Sequence, residues 1–311
     1  MSILMKVNKP LFWNKINLIS ILLYPLSLIT FLINIIKKLS IKKNFNINSI
    51  CVGNLYVGGT GKTPLSIKIN NILKKKYKTV FIKKKYFNQI DEQNILKSYG
   101  NLICTKHRDT ALKIAEKQKY DVAILDDGLQ EKSLNYKITV ACFNSSDGIG
   151  NGLLIPSGPL REVVSEIKNY DAIFLNGEKS NKKLSKYLKK LNNNIKIFEA
   201  KYVPTNLKSF NLKKNFLFFC GLGNPSEFER TLKKYKFRIK EKFIYPDHYN
   251  FTNSDIFTLK KLAKKKKLNI ITTEKDYFRL NKKNRKNVKF LKVDLNIKNL
   301  QNFSKFLFER L

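Results

Sequence analysis

The sequence predicts a doubly wound α/β fold, built on a mostly parallel sheet with helices on both faces and followed by a smaller C-terminal α/β lobe. Two observations carry this. Short, near-continuous apolar runs alternate with Lys-rich helical stretches, and glycines or paired carboxylates close several of those runs. Strands buried on both faces read as unbroken apolar segments, and ligand sites in such sheets lie at the carboxyl ends of strands. With 311 residues, 43% of them hydrophobic, the chain has enough apolar mass for one large domain or two lobes.

The first element is an uncharged Ile- and Leu-rich run over residues 16–36, interrupted by Asn17, Ser20, Pro25, Ser27, Thr30 and Asn34. Its length is near the roughly 20 residues that span a bilayer, while Pro25 and the polar residues weaken a straight spanning helix. Lys37, Lys38, Lys42 and Lys43 follow and would hold the next domain on the cytoplasmic side. The segment is expected to be a membrane anchor, either spanning or lying in the interface. The alternative is a buried core helix. No small-residue cleavage site follows.

Strand-like runs then recur at 49–52, 79–82, 121–125, 138–142, 172–175, 216–219 and 269–272. Helical stretches such as 64–75 and 109–118 lie between them and give a βα rhythm. The expected division is an anchor and basic flank at 1–46, a nucleotide-binding core at 47–208 and a C-terminal lobe at 209–311.

The chain carries 61 Lys+Arg against 23 Asp+Glu, a formal charge of +38. Such an excess suits polyanions: nucleic acid, anionic headgroups or phosphorylated substrates. Lys, Asn and Ile all have AT-rich codons, so genome composition is an alternative source of the excess, which by itself does not identify a partner. The tracts at 74–76, 83–85 and 264–267 read as solvated faces. Cys51, Cys104, Cys142 and Cys220 are widely separated, mostly in strand-like runs, and read as buried reduced thiols without disulfide or zinc roles.

The sharpest motif is Gly58-Gly59-Thr60-Gly61-Lys62-Thr63, between the first strand and a helix. Glycines let backbone N–H groups close around phosphate oxygens, and the helix N-terminus adds its positive end. Lys62 would reach the β- and γ-phosphates of ATP, and the Thr63 hydroxyl would hold Mg²⁺. This is a P-loop NTPase-type core in which Tyr56 and Val57 lead into the loop, Tyr56 standing where the usual pattern has its first Gly. Asp126 and Asp127 close the run at 121–125 and suit Mg²⁺, directly or through its waters; otherwise they form a solvated turn. Arg161 and Glu162 end a Gly/Pro-rich connection, where an Arg can neutralise charge on a transferred phosphoryl group; composition alone reads a structural loop with a surface ion pair. Asp247-His248 and the 272–276 segment are further loops without decisive chemistry of their own.

The set resembles the tetraacyldisaccharide 4'-kinase (lipid A 4'-kinase) family. The resemblance rests on Val52-Gly53-Asn54-Leu55-Tyr56-Val57 with the loop through Thr63, on Leu125-Asp126-Asp127-Gly128-Leu129-Gln130, and on Asn151-Gly152 with 156–162. Gly221-Leu222-Gly223-Asn224-Pro225, Asp247-His248 and 272–276 complete it. It implies ATP-dependent phosphorylation of the 4'-hydroxyl of a lipid-linked disaccharide 1-phosphate, giving lipid IV-A, at the cytoplasmic face of a bacterial inner membrane. It implies Asp91 as general base with His248 as its orienting partner, and Arg161 and Glu162 lining the site. By the same match Asp126 and Asp127 serve the metal, with Thr63; Glu162 is grouped with these ligands. A monomer and no nucleic-acid partner are expected. Where the family usually reads Ser-Arg-Gly-Tyr, this chain has Lys83-Lys84-Lys85-Tyr86; Lys84 keeps the charge but loses the bidentate fork. The rivals are a P-loop ATPase that binds nucleic acid, for which no aromatic-and-basic recognition element is found, and a catalytically weakened family member.

Overall fold

The computed structural model describes residues 10–86, 90–223, 225–247 and 249–311. The chain divides into two compact units. The first comprises Pro10–Lys85, Leu96–Tyr202 and Leu295–Leu311; the second comprises Tyr86–Ile95 and Val203–Asp294.

The N-terminal apolar run forms two helices, α1 (Leu18–Leu22) and α2 (Tyr24–Lys38). Asn17 caps α1 by accepting from Ser20 N, and Pro25 sits in the first turn of α2, where its missing N–H costs nothing. At 15 residues α2 is short, and no helix among the described residues is long and apolar enough to cross a membrane. Neither helix is buried in the core: Leu18, Leu22 and Ile36 are 81%, 77% and 66% exposed. The polar residues of α2 face inward instead. Ser27, Thr30 and Asn34, spaced to share one helix face, donate to the carbonyls of Leu154, Ile155 and Arg161 at 2.8, 2.7 and 2.9 Å.

The core of the first unit is an eight-stranded sheet built from β1 (Asn48–Gly53), β2 (Thr79–Lys84), β3 (Leu102–Thr105), β4 (Val122–Asp126), β5 (Ile138–Asn144), β6 (Ala172–Asn176), β7 (Lys196–Pro204) and β12 (Val293–Ile297). Their spatial order is β12-β7-β6-β5-β1-β4-β2-β3, with every pair from β7 to β3 parallel. β1 is central: the chain passes from it to β2 on one side, and later from β4 to β5 on the other, and this reversal opens a crevice at the carboxyl ends of these strands. Alternation along the strands decides which helix each residue meets. Ile50, Val52, Phe81 and Ile124 face α3 (Lys62–Leu73), whose Leu65, Ile69 and Leu73 recur at four-residue spacing, together with Phe303 and Leu307 of α10 (Leu300–Phe308). Val80, Ile82, Ala123 and Leu125 face α5 (Arg108–Lys117) on the opposite side. Ile173 and Leu175 of β6 share a cluster with Leu184 and Leu188 of α6 (Lys182–Leu191). Truncating the buried Leu65 to Ala would cost about 2–5 kcal/mol.

The second unit is a four-stranded parallel sheet, ordered β11 (Val288–Leu291), β10 (Asn269–Thr273), β8 (Asn215–Cys220), β9 (Arg238–Ile244). Phe216 and Phe218 pack on α7 (Pro225–Lys234), whereas Leu217 and Phe219 pack on α8 (Asn253–Lys265). The period of two along β8 thus builds both layers. The unit also holds the start of α4 (Ile90–Tyr99) and α9 (Glu274–Arg279).

Candidate active site

The phosphate loop joins β1 to α3. Gly58 and Gly61 adopt φ of +128° and +89°, backbone that a side chain disfavours. A Cβ on Gly61 would lie 2.7 Å from Asn176 Nδ2 and 2.9 Å from the Tyr202 hydroxyl, so the turn also demands a bare backbone. Asn54 braces the loop from below, donating its amide to the carbonyls of Tyr56 and, at 3.3 Å, Gly58. On its flank Val57 N bonds Pro159 O at 2.9 Å and Arg161 N bonds Leu55 O at 2.7 Å. The segment at 159–161 is therefore stitched to the loop along its length, with Tyr56 buried against it.

The carboxylate pair closes β4, next to β1. Asp126 is buried and accepts from Thr63 Oγ1 at 3.1 Å and Ser66 Oγ at 3.0 Å, both on α3. Asp127 is at φ +57°, a left-handed turn that Asp tolerates better than most residues, held by its N–H on Val52 O at 2.6 Å. Arg161 Nη1 bridges Asp127, at 2.9 and 3.1 Å, and Asn54 Oδ1, at 2.8 Å; Lys62 Nζ lies 3.9 Å from Asp127 Oδ2. Burial alone would push the Asp127 carboxyl up, but Lys62 and Arg161, with Lys83 behind them, outweigh it and hold it below the ordinary carboxylate range.

Arg161 and Glu162 do not form the surface ion pair that composition suggests. Glu162 turns away from Arg161 and is buried against Lys132 Nζ at 3.1 Å and the Tyr170 hydroxyl at 2.7 Å. The 83–85 tract differs from expectation as well. Lys83 is no solvated residue: it is 3% exposed, and its Nζ lies 2.7 Å from Asp126 Oδ2. β2 alternation puts Lys83 on the same face as Phe81, toward α3, and so beside the carboxylate.

Three further residues belong to this site; Arg108 and Asn176 carry no motif of their own, whereas Thr60 belongs to the phosphate loop itself. Arg108, at the start of α5, donates to the Asp127 carbonyl at 2.6 Å. Thr60, in the loop, and Asn176, beside it, are buried, and neither the Thr60 hydroxyl nor either Asn176 amide atom has a hydrogen-bond partner among the described residues. Buried polar groups are rarely left so, and these lie where a nucleotide would bring partners. The position of Asn176 at the carboxyl end of β6 is the signal by which sequence could have found it.

In the second unit, motif segments far apart in sequence converge. Asp91, on α4, is buried and receives Arg279 Nη2 at 2.8 Å and Nε at 3.0 Å. Lys275 Nζ reaches Glu92 at 3.2 Å and Asp247 at 3.8 Å. Arg279 also donates to Asp276 at 2.6 Å and the Gly221 carbonyl at 2.7 Å; Asp276 accepts from Thr273 and from Gly221 N. Burial dominates Asp276 and raises its carboxyl despite Arg279. One network thus gathers the segments around 91, 221, 247 and 272–276, with Arg279, a residue outside every motif, as its hub. His248 lies outside the described residues.

The sequence profile described as "Tetraacyldisaccharide-1-P 4'-kinase" matches residues 19–101 and 88–311. This chain belongs to that family. A tetraacyldisaccharide 4'-kinase of Pelagibacter ubique is 44% identical over 304 residues, 96% of this chain and 97% of its own length. One from Rickettsia typhi is 35% identical over 329 residues, covering 99% of this chain and all of its own. The crystal structure of LpxK from Aquifex aeolicus in complex with ATP superposes with a TM-score of 0.71 over 94% of this chain and 99% of that one, at 21% identity, and shares the fold.

Oxygen donors of the kind Mg²⁺ prefers, the Thr63 hydroxyl and Asp126 carboxylate, are already adjacent, so the residues fit that ion. No group of three or more His, Cys, Asp or Glu side chains is placed to hold a metal among the described residues. A metal here would therefore depend on nucleotide oxygens and water to complete its shell.

Proposed function

We propose that this chain is an ATP-dependent kinase of the 4'-hydroxyl of tetraacyldisaccharide 1-phosphate. The observation that carries this is the phosphate loop braced by Asn54, with Lys62, Arg161, Asp126 and Asp127 gathered at its mouth, in a member of the 4'-kinase family. The loop N–H groups and the α3 N-terminus bind the polyphosphate, and Lys62 leaves Asp127 for the terminal phosphates. Arg161, fixed between Asn54 and Asp127, offers a guanidinium to charge developing on the transferred group. Mg²⁺, when bound, would neutralise phosphate oxygens; Thr63 and Asp126, with Asp127, are the residues that would hold it. Glu162, engaged by Lys132 and Tyr170, supports the 151–162 loop from behind.

Asp91 is the proposed acceptor of the hydroxyl proton, with His248 as its partner, and Arg279 orients its carboxylate. The exposed apolar faces of α1 and α2, followed by Lys37 and Lys38, suit the lipid interface at the cytoplasmic side of the inner membrane, where a lipid-linked acceptor resides.

The test is transfer of labelled phosphate from ATP to tetraacyldisaccharide 1-phosphate in detergent micelles. Mg²⁺-dependent labelling is expected, reduced at least about 100-fold in Lys62→Ala, comparable to loss of a transition-state donor. Asp91→Ala should fall similarly; labelling that survives it moves the base elsewhere. Folded, ATP-binding wild type that labels no lipid refutes the reading.

A further inference from the structure

Lys83 has no part in the chemistry proposed for the kinase, yet it is the residue most committed to the site. Lysine is seldom buried unless paired, and an unpaired buried ammonium is costly. Here the side chain is 4% exposed and its partner, the Asp126 side chain, 1%. Strand register explains the geometry. Ile82 of β2 lies opposite Leu125 of β4, so the next residues, Lys83 and Asp126, emerge side by side at the carboxyl ends of adjacent parallel strands. Asp126 Oδ2 then takes both Lys83 and Thr63, while Oδ1 takes Ser66. Around the pair the count of fixed charges is unequal: Asp126 and Asp127 face Lys62, Lys83 and Arg161. A divalent cation arriving alone would meet carboxylates already neutralised and an ammonium in direct contact with the ligand oxygen.

We propose that Lys83 is a built-in cation that keeps divalent metal off Asp126 until nucleotide is bound, so that metal enters this site only together with ATP. This rests on Asp126 being the metal carboxylate. Polyphosphate supplies the negative charge that the empty cradle lacks, and it adds oxygen ligands that the described residues do not provide by themselves. Lys83 is a positioning residue: it acts on the metal through Asp126.

The test uses the full chain in detergent, titrated with Mn²⁺ and followed by electron paramagnetic resonance without nucleotide. Wild type should bind Mn²⁺ at this site more weakly than about 1 mM, and Lys83→Met at least about tenfold more tightly, because the freed carboxylate takes the ion instead. Lys83→Ser, smaller and still able to bond Asp126, gives the same readout if the Met variant fails to fold. Lys83→Arg, which keeps the charge, should remain weak. Mn²⁺ should also raise the melting temperature of the Met and Ser variants and leave that of wild type unmoved, since only a ligand that binds the folded state stabilises it. Unchanged Mn²⁺ affinity in both neutral variants, or tight binding by nucleotide-free wild type, overturns the proposal. The premise is tested separately by binding a non-hydrolysable ATP analogue with and without Mg²⁺. Asp126→Asn should abolish the gain from metal. If that gain persists, Asp126 is not the metal carboxylate, and the premise fails before Lys83 is judged.

Discussion

Gly61→Ala is the smallest change that reaches the phosphate loop through the fold alone. Its φ of +89° is left-handed, which costs a residue with a side chain about 1–2 kcal/mol. The added methyl would also press on Asn176 Nδ2 at 2.7 Å and the Tyr202 hydroxyl at 2.9 Å, and moving either side chain off its rotamer costs about 0.5–1.5 kcal/mol more. The sum, about 1.5–3.5 kcal/mol, falls on the loop that must present its N–H groups, so affinity for a non-hydrolysable ATP analogue should drop by roughly 10- to 300-fold. Melting should fall by about 3–14 °C at roughly 2–4 °C per kcal/mol for a unit of this size. Calorimetric titration and thermal denaturation read the two effects separately. Gly59→Ala is the control. A Cβ there meets nothing within 4 Å and φ is not left-handed, so it should leave melting unchanged while lowering nucleotide affinity, because the methyl intrudes only on the phosphates. Adding Asn176→Ala to Gly61→Ala should recover part of the melting loss. Gly61→Ala with wild-type melting and affinity would refute the steric argument.

Two further outcomes follow from the same geometry. Asp127 has its carboxyl lowered from 3.8, so the stability it contributes is fully present above that value and is lost as pH falls through the lower folded value. Asp127→Asn should thus be less stable than wild type at pH 7, with the gap closing below about pH 4; denaturant midpoints that differ equally at pH 7 and pH 3 contradict this. The triple variant Leu18→Asn, Leu22→Asn, Ile36→Asn changes residues that are 81%, 77% and 66% exposed. It should bind vesicles containing anionic lipid at least about tenfold more weakly, with melting unchanged; undiminished sedimentation with vesicles rules out this face as the lipid contact.

Much of the first unit is legible in sequence because its strands are buried on both faces. Runs such as Val122–Asp126 carry no polar residue until the site begins, and the strand–glycine–helix order marks where phosphate would bind. Strands β7 and β9 are not legible. Lys196, Glu199, Lys201, Arg238, Lys240 and Lys242 interrupt them, because these strands are only partly buried and their outer positions accept charge. The discontinuity of the second unit is hidden for a different reason: the segment 86–95 joins it through Asp91 on Arg279 and Glu92 on Lys275, contacts between residues remote in sequence. Lys83 escapes sequence reading because a lysine in a run of three looks solvated. Its burial follows from strand phase, and only pairing with a specific carboxylate makes that tolerable.

The N-terminal helices reverse the usual amphipathic arrangement, and the reversal has a use. In the sequence, Ser27, Thr30 and Asn34 look like flaws in a spanning segment. In the fold they are the three residues by which α2 grips the carbonyls of Leu154, Ile155 and Arg161. Each such bond contributes about 1 kcal/mol net. The leucines and isoleucines must then point outward, since a helix that commits its polar face to the protein has only apolar side chains left to expose. Asn34 holds the backbone of the same residue whose guanidinium spans Asn54 and Asp127. The helix with the exposed apolar face is thus bonded directly to the loop that supplies Arg161. A helix of this length that fastens its polar stripe to the loop beneath gives the apolar side chains a rigid base, so shortness does not argue against contact with lipid.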